Sequence, residues 1–295
     1  MATVVESHRG LERFPVDVDL SEEFLKRNDN GSKETPENRA EKVQEMLVLL
    51  NDHPELNART DDVYLLRFLR AKYFNTKAAF NLLKNYEEFR SKYHEQWMNV
   101  DLPTLRTLTT KGAVQVLPGR DQHARRVFWL RGGLWKPGDC SIDCLLQAGG
   151  LCGDATIVEP MTQIAGIVMI FDLKDVGMSQ IKGLSTTFAK KMVHFLANCL
   201  PVRINAIHVV NEPALFSMIL SLFKAFLTEK MKKGLYFHGS NLASLHEHVS
   251  PTCLPPELGG TYGEVDPREW LKVFTGDMVL KELKALGYNF VGEDK

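Results

Sequence analysis

The chain has 295 residues, is 44% hydrophobic and 25% charged, and can therefore bury the core of one large domain or two unequal ones. Its 36 Lys and Arg nearly balance 37 Asp and Glu, for a formal net charge of −1. That balance excludes nucleic-acid binding by bulk electrostatics and leaves any attraction to an anionic membrane to a local patch. No run approaches the ~20 apolar residues of a membrane-spanning helix, and the first residues (MATVVESHRGLERF) lack the apolar core of a signal peptide. The expected location is the cytoplasm, with reversible, peripheral visits to membranes. The five cysteines (Cys140, Cys144, Cys152, Cys199, Cys253) are odd in number, and their spacing fits no common zinc pattern. They read as reduced thiols, with no metal.

Residues 1–34 form a polar lead-in, of which KRNDNGSKETP is typical. Residues 35–100 read as a helical bundle. Thr35-Pro36 suits an N-cap followed by an N1 proline, opening a helix to Leu50 with Val43, Met46, Leu47 and Leu50 on one face. A second helix begins near Thr60–Asp62 and a third at Asn75-Thr76. Residues 101–265 change character. Arg125–Arg131, Gly166–Leu173, Ile204–Val210 and Leu235–His238 read as strands. Ile142–Val158, Ser185–Leu200, Pro213–Leu227 and Leu242–His248 read as helices, although Gly149, Gly150 and Gly153 weaken the first of these. The alternation predicts an α/β fold with a mostly parallel sheet. Residues 266–295 are expected to form a C-terminal helical tail.

The Pro213–Leu227 segment, PALFSMILSLFKAFL, is apolar almost all round, with Ser217, Ser221 and Lys224 as its polar breaks. Such a helix is either a central core element, or lines a cavity on one face and meets a membrane on the other. It is followed by Lys230, Lys232 and Lys233. These lysines fit either a solvated helix end or an interface with anionic lipid.

Several separated stretches carry a family resemblance. LLRFLRAKYF (Leu65–Phe74) and LLKNYEEFR (Leu82–Arg90) are followed by GIVMIFDLKDVG (Gly166–Gly177), IHVVNEPALF (Ile207–Phe216), FLTEKMKK (Phe226–Lys233), YFHG (Tyr236–Gly239) and LPPELGGTYG (Leu254–Gly263). Together, in this order, they resemble the CRAL-TRIO (Sec14-like) lipid carriers over residues 35–265. NEPALF and FLTEK point to the branch of the α-tocopherol transfer and retinaldehyde-binding proteins.

The resemblance implies an N-terminal helical bundle beside an α/β lobe whose sheet floors an apolar cavity closed by a mobile gate helix. The implied pocket residues are Leu146, Gly149, Gly153, Ile167, Phe171, Met178, Leu184, Phe188, Met192, Phe195, Leu196, Ile204 and Ile207. The implied gate carries Leu215, Phe216, Met218, Ile219, Leu222, Phe223, Phe226 and Leu227. Lys72, Arg203 and Lys230, with Lys232 and Lys233 nearby, would bind phosphoinositide headgroups. Two further basic positions of the family cluster fall on Asn205 and Gly234. Gly149 and Gly153 stand where the tocopherol carrier has serines, which leaves tocopherol, a retinoid, a carotenoid, another isoprenoid or a phospholipid open as cargo. Gln147, Thr156 and Gln163 are the candidate polar anchors.

The implied function is binding and membrane-to-membrane transfer of a hydrophobic lipid, by a mostly monomeric protein with no cofactor other than its cargo. The alternatives are a lipid-responsive sensor or adaptor and a Sec14-like phospholipid carrier. Enzyme readings find little support. There is no GxSxG elbow and no GxxxxGK[ST] loop; GGLCGD has the wrong spacing for GxGxxG, and His246 and His248 at i,i+2 face different sides of a helix. Asp172 and Asp175, after a strand, read as polar turn residues.

Overall fold

The computed structural model describes residues 34–292, so the expected polar lead-in lies almost wholly outside the described residues. Three capped helices open the fold: α1 (Pro36–Asn51), α2 (Asp62–Ala71) and α3 (Thr76–Lys92). Thr35, Asp61 and Asn75 each accept a hydrogen bond from the backbone N–H three residues on, at 3.1, 3.0 and 2.9 Å, which satisfies donors the helices leave unpaired. Short elements α4 (His94–Met98), β1 (Asn99–Asp101) and α5 (Leu102–Thr110) lead to the sheet.

The sheet portion runs β2 (Val114–Arg120), β3 (Arg126–Arg131), α6 (Ile142–Ile157), α7 (Pro160–Ala165), β4 (Ile167–Asp172), α8 (Met178–Gly183), α9 (Thr186–His194), β5 (Ile204–Val210), α10 (Phe216–Lys224), α11 (Glu229–Lys233), β6 (Leu235–Phe237) and α12 (Leu242–His246). Spatial order is β2-β3-β4-β5-β6. The first pair is antiparallel and the other three are parallel. The chain closes with α13 (Glu269–Thr275), α14 (Asp277–Ala285) and β7 (Asn289–Val291).

The last 30 residues were expected to form a helical tail; α13 and α14 lie there, and the strand β7 follows them. β7 pairs in parallel with β1, Phe290 opposite Val100, across the expected boundary at residue 100. Phe290 packs on the main core there, and each short strand satisfies the other's backbone. Buried groups reinforce the join. Tyr86 and Tyr288 donate to the Asp154 carboxylate at 3.0 and 2.7 Å, and Arg90 lies 3.3 Å from the same group. Asp154 thus ties α3 and the tail to α6.

α6 forms despite its glycines because two of them are packing sites. A Cβ on Gly150 would meet the Trp97 ring at 2.3 Å, and one on Gly153 would meet Leu200 at 3.0 Å. The sheet separates two cores by strand alternation. Val127, Trp129, Val168, Ile170 and Val210 face one core, with Leu245, Leu254 and Leu258. Phe128, Ile167, Met169 and Ile207 face the other.

A buried ion triad pins the start of α7 to the sheet. Glu159 lies 2.5 Å from Arg126 and 2.6 Å from Arg120. Burial opposes ionisation of Glu159, but the two guanidiniums outweigh it and hold the carboxyl down at about 2. Its folded value lies below the ordinary value of 4.5. The contribution is therefore present above that value and lost as pH falls toward 2, on the order of 3 kcal/mol. Glu159→Gln removes the carboxylate that faces these two buried guanidiniums and is expected to cost about 3–5 kcal/mol. Urea unfolding at pH 7 and at pH 3 checks both statements, since the variant should lose the share of the wild type's sensitivity over that interval that Glu159 contributes.

Candidate functional site

Among the described residues, an apolar cavity of about 230 Å³ lies between the sheet, α6, α8, α9 and α10. Its floor comes from alternate strand positions: Phe128 and Leu130, Ile167, Met169 and Phe171, Ile207 and Val209, Leu235 and Phe237. One wall is α6, through Ile142, Leu145, Leu146, Gly149, Gly150 and Gly153. Another is Leu184 with α9 and the turn after it, through Phe188, Met192, Phe195 and Leu196.

Among the described residues, the polar side-chain groups on the cavity lining are the Trp135 indole N–H, which donates to the Cys140 carbonyl at 3.0 Å, and Gln180, which is also committed. Gln180 accepts from the Gly177 N–H at 3.1 Å and donates to the Trp135 carbonyl at 3.2 Å. The expected polar anchors lie elsewhere. Gln147 donates to the carbonyls of Trp97 and Asn99, and Thr156 donates to that of Cys152. Gln163 accepts from Arg70 and donates to the Ile157 carbonyl. Each satisfies buried backbone or an ion, as a buried amide or hydroxyl must.

Eleven of the thirteen expected pocket residues bound the cavity; Met178 and Ile204 do not. Met178, the first residue of α8, is 42% exposed. Ile204 packs on the core at the beginning of β5, where the register slips past Asn205. Sequence reasoning passed over Trp135, Val176, Met231 and the strand positions Phe128, Leu130, Met169, Val209, Leu235 and Phe237. The signal for the strands was present: period-two alternation puts each on the face of Ile167, Phe171 or Ile207.

Helix α10 covers the opening. It is shorter than the expected Pro213–Leu227 helix because no side chain caps its start, and the chain turns at Ala225 before Thr228 caps α11. Its faces differ. Phe216, Ile219, Leu220 and Phe223, with Leu227 just beyond, line the cavity. Leu215, Met218, Leu222 and Phe226 do not; spaced by three and four residues, they form an outer apolar stripe on which Met218 is 45% exposed. No residue of α10 is fully buried.

Cationic groups lie at the end of α2, just before β5 and on α11. Burial, then the nearby charge of Lys230, lowers Lys72 from the usual lysine range. Burial also lowers Arg203. Its Nη1 donates to the Arg70 carbonyl, its guanidinium lies 4.6 Å from the centre of the Tyr73 ring, and its buried Nε has no partner among the described residues. Lys230, Lys232 and Lys233 are exposed on α11, with Lys232 2.7 Å from Glu229. Asn205 and Gly234, the non-basic positions, flank one another, the Asn205 carbonyl lying 3.4 Å from a Cβ placed on Gly234.

Other candidate chemistry is committed elsewhere. His246 approaches the Leu258 carbonyl at 2.8 Å, and the His248 ring lies tilted against Tyr236, 4.3 Å between centres. His208, hydrogen-bonded to His238 at 2.9 Å on the far face of the sheet, is pushed down to about 3 by burial and by its neighbouring histidines. Asp172 accepts from the Lys174 N–H and the Asn211 amide, closing the turn after β4. All five cysteines are free, and burial pushes the thiols of Cys140, Cys152, Cys199 and Cys253 up to about 12. Among the described residues no helix is long and apolar enough to cross a membrane.

The cavity lies within residues 110–260, which match the CRAL/TRIO domain; residues 22–85 match the CRAL/TRIO N-terminal domain. The human alpha-tocopherol transfer protein-like protein is 35% identical over 252 residues, covering 85% of this chain and 74% of its own. Clavesin-1 of Xenopus laevis is 30% identical over 260 residues, covering 87% and 78%. The solved structure of Sfh5 aligns over 92% of this chain and 98% of its own with a TM-score of 0.45 and 15% identity. With both of its domains matched and relatives at this identity along most of its length, the chain belongs to the CRAL/TRIO family of lipid-binding and transfer proteins.

Proposed function

We propose that the protein encloses one hydrophobic lipid of the isoprenoid class, such as a tocopherol, a retinoid or a carotenoid, and transfers it between membranes through the opening covered by α10. The observation that carries this reading is the cavity, whose walls among the described residues offer no uncommitted polar side chain. A buried hydroxyl or carbonyl left unpaired costs about 1–3 kcal/mol, so a cargo with few polar groups is favoured. A phospholipid would have to leave its headgroup outside. The relative named alpha-tocopherol transfer protein-like agrees with such a cargo.

Release follows from the two faces of α10. While the helix is closed, its outer stripe meets water. At an anionic leaflet held by Lys72, Arg203 and Lys230, the stripe enters lipid, and this favours the open helix over the closed one. The protein catalyses no reaction in this scheme and needs no cofactor.

Organic extraction of the protein purified from its native source, followed by mass spectrometry, tests the reading. One isoprenoid at near-stoichiometric amount is expected. A glycerophospholipid in its place would overturn the cargo class. An empty protein that takes up none of these lipids from vesicles would overturn the carrier reading and bring the sensor or adaptor forward. In vesicle-to-vesicle transfer, Lys230→Glu should slow the rate several-fold with anionic acceptors and leave neutral acceptors unaffected.

A further inference from the structure

Helix α2 ends in a conformation its sequence disfavours. The Phe74 N–H donates to the Leu69 carbonyl at 2.8 Å and the Tyr73 N–H to the Arg70 carbonyl at 3.4 Å, the paired closure that requires a left-handed residue after the cap. Glycine suits that position because it has no Cβ to clash. Here Tyr73 has φ +52° and Phe74 has φ +58°, two bulky residues in succession in the left-handed region. Such strain persists only where something else requires it. Phe74 is 5% exposed and is held by the core, but Tyr73 is 43% exposed and has no packing reason to stand there.

What Tyr73 touches is Arg203. The ring lies across the guanidinium at 4.6 Å, and Nη1 on one edge is tied to the Arg70 carbonyl. Arg203 is 8% exposed, yet its Nε is buried with no partner, and no hydrogen bond from Nη2 is recorded among the described residues. The Nε–Nη2 edge is the fork by which arginine grips a phosphate with two parallel hydrogen bonds. Ring and carbonyl together fix the guanidinium and leave that fork unpaired, against the turn that carries Lys72.

We propose that Tyr73 is a positioning residue for a phosphate of an anionic lipid headgroup: its strained left-handed placement puts an aromatic plate against Arg203 and fixes the open Nε–Nη2 fork. The inference rests on the anionic-surface reading above and adds to it the residue that orients its arginine. Tyr73 makes no hydrogen bond to the phosphate in this scheme. Its ring, not its hydroxyl, carries the effect.

Binding of the full chain is measured on phosphatidylcholine vesicles carrying phosphatidylinositol bisphosphate, and on vesicles of equal charge carrying phosphatidylserine. Soluble inositol trisphosphate and inorganic phosphate serve as competitors. Tyr73→Gly removes the ring and the strain together. It is expected to keep or raise Tm while lowering affinity for the phosphoinositide vesicles roughly three- to tenfold, the scale of a partly desolvated cation–π contact. Tyr73→Phe should stay within about twofold of wild type, since the ring face is retained. Displacement by inositol trisphosphate but not by inorganic phosphate assigns the fork to a headgroup; displacement by inorganic phosphate alone at matched concentration overturns the lipid assignment. If Tyr73→Gly binds as wild type while Arg203→Ala binds weakly, or if Tyr73→Phe loses as much as Tyr73→Gly, the role of the ring is overturned. If Arg203→Ala and Lys230→Glu also bind as wild type, the anionic-surface reading itself fails.

Discussion

Gly149→Leu is expected to yield a protein that is more stable without cargo and unable to load it. Gly149 lies in the interior of α6 on the cavity wall, and a Cβ built there meets nothing within 4 Å. The leucine side chain therefore enters the space the lipid would occupy. Replacing a mid-helix glycine gains up to about 1 kcal/mol of helix propensity. Filling part of the void recovers a share of the roughly 24 cal/mol per Å³ that an empty cavity forfeits. A gain of about 1–2 kcal/mol corresponds to a Tm higher by about 2–3 °C for a chain of this size. Cargo should also stop raising Tm, because a ligand stabilises only what it binds. Thermal melts with and without added lipid read both effects. A variant that loads cargo normally would show that the cargo does not use this part of the cavity, whereas Gly150→Leu, which drives a side chain into Trp97, should simply destabilise.

The second large effect belongs to the outer stripe of α10. Met218→Asp combined with Leu222→Asp should leave cargo affinity within about twofold and slow transfer between vesicles at least tenfold, since full burial of each apolar side chain is worth about 1.5–3 kcal/mol. Neither residue lines the cavity, so neither substitution places a charge beside the cargo. Phe223→Asp is the contrast. The helix as read from sequence makes Phe223 a candidate for membrane contact, but the structure turns it into the cavity, and its substitution should weaken loading as well as transfer. Equal transfer by wild type and the double variant, with cargo bound in both, would remove the stripe from the mechanism.

These two experiments separate faces of one helix that the sequence presents as uniformly apolar. The run PALFSMILSLFKAFL announces an unusual helix but not its rotation about its own axis. With hydrophobic residues at nearly every position, periodicity has no polar face to mark the outside. Rotation was settled by the packing of α10 over the sheet. The same holds for Gln147, Thr156 and Gln163. Their polarity on an apolar wall made them reasonable ligand anchors, yet each satisfies a backbone carbonyl or an arginine brought near only by folding.

What the sequence determined by itself was local or periodic. Thr35, Asp61 and Asn75 mark helix starts because a capping side chain acts within three residues. The runs at Ile167–Asp172 and Ile204–Val210 declare buried parallel strands because neither face tolerates charge. Ordered stretches such as NEPALF and FLTEK carried the family. Only the tertiary structure decided the rest. The pairing of β7 with β1, the exclusion of Met178 and Ile204 from the cavity, the contact of Tyr73 with Arg203 and the approach of Lys72 to Lys230 depend on residues far apart in the chain. No spacing rule specifies such contacts, because they depend on how whole helices and strands pack against each other and not on any preference of a short segment.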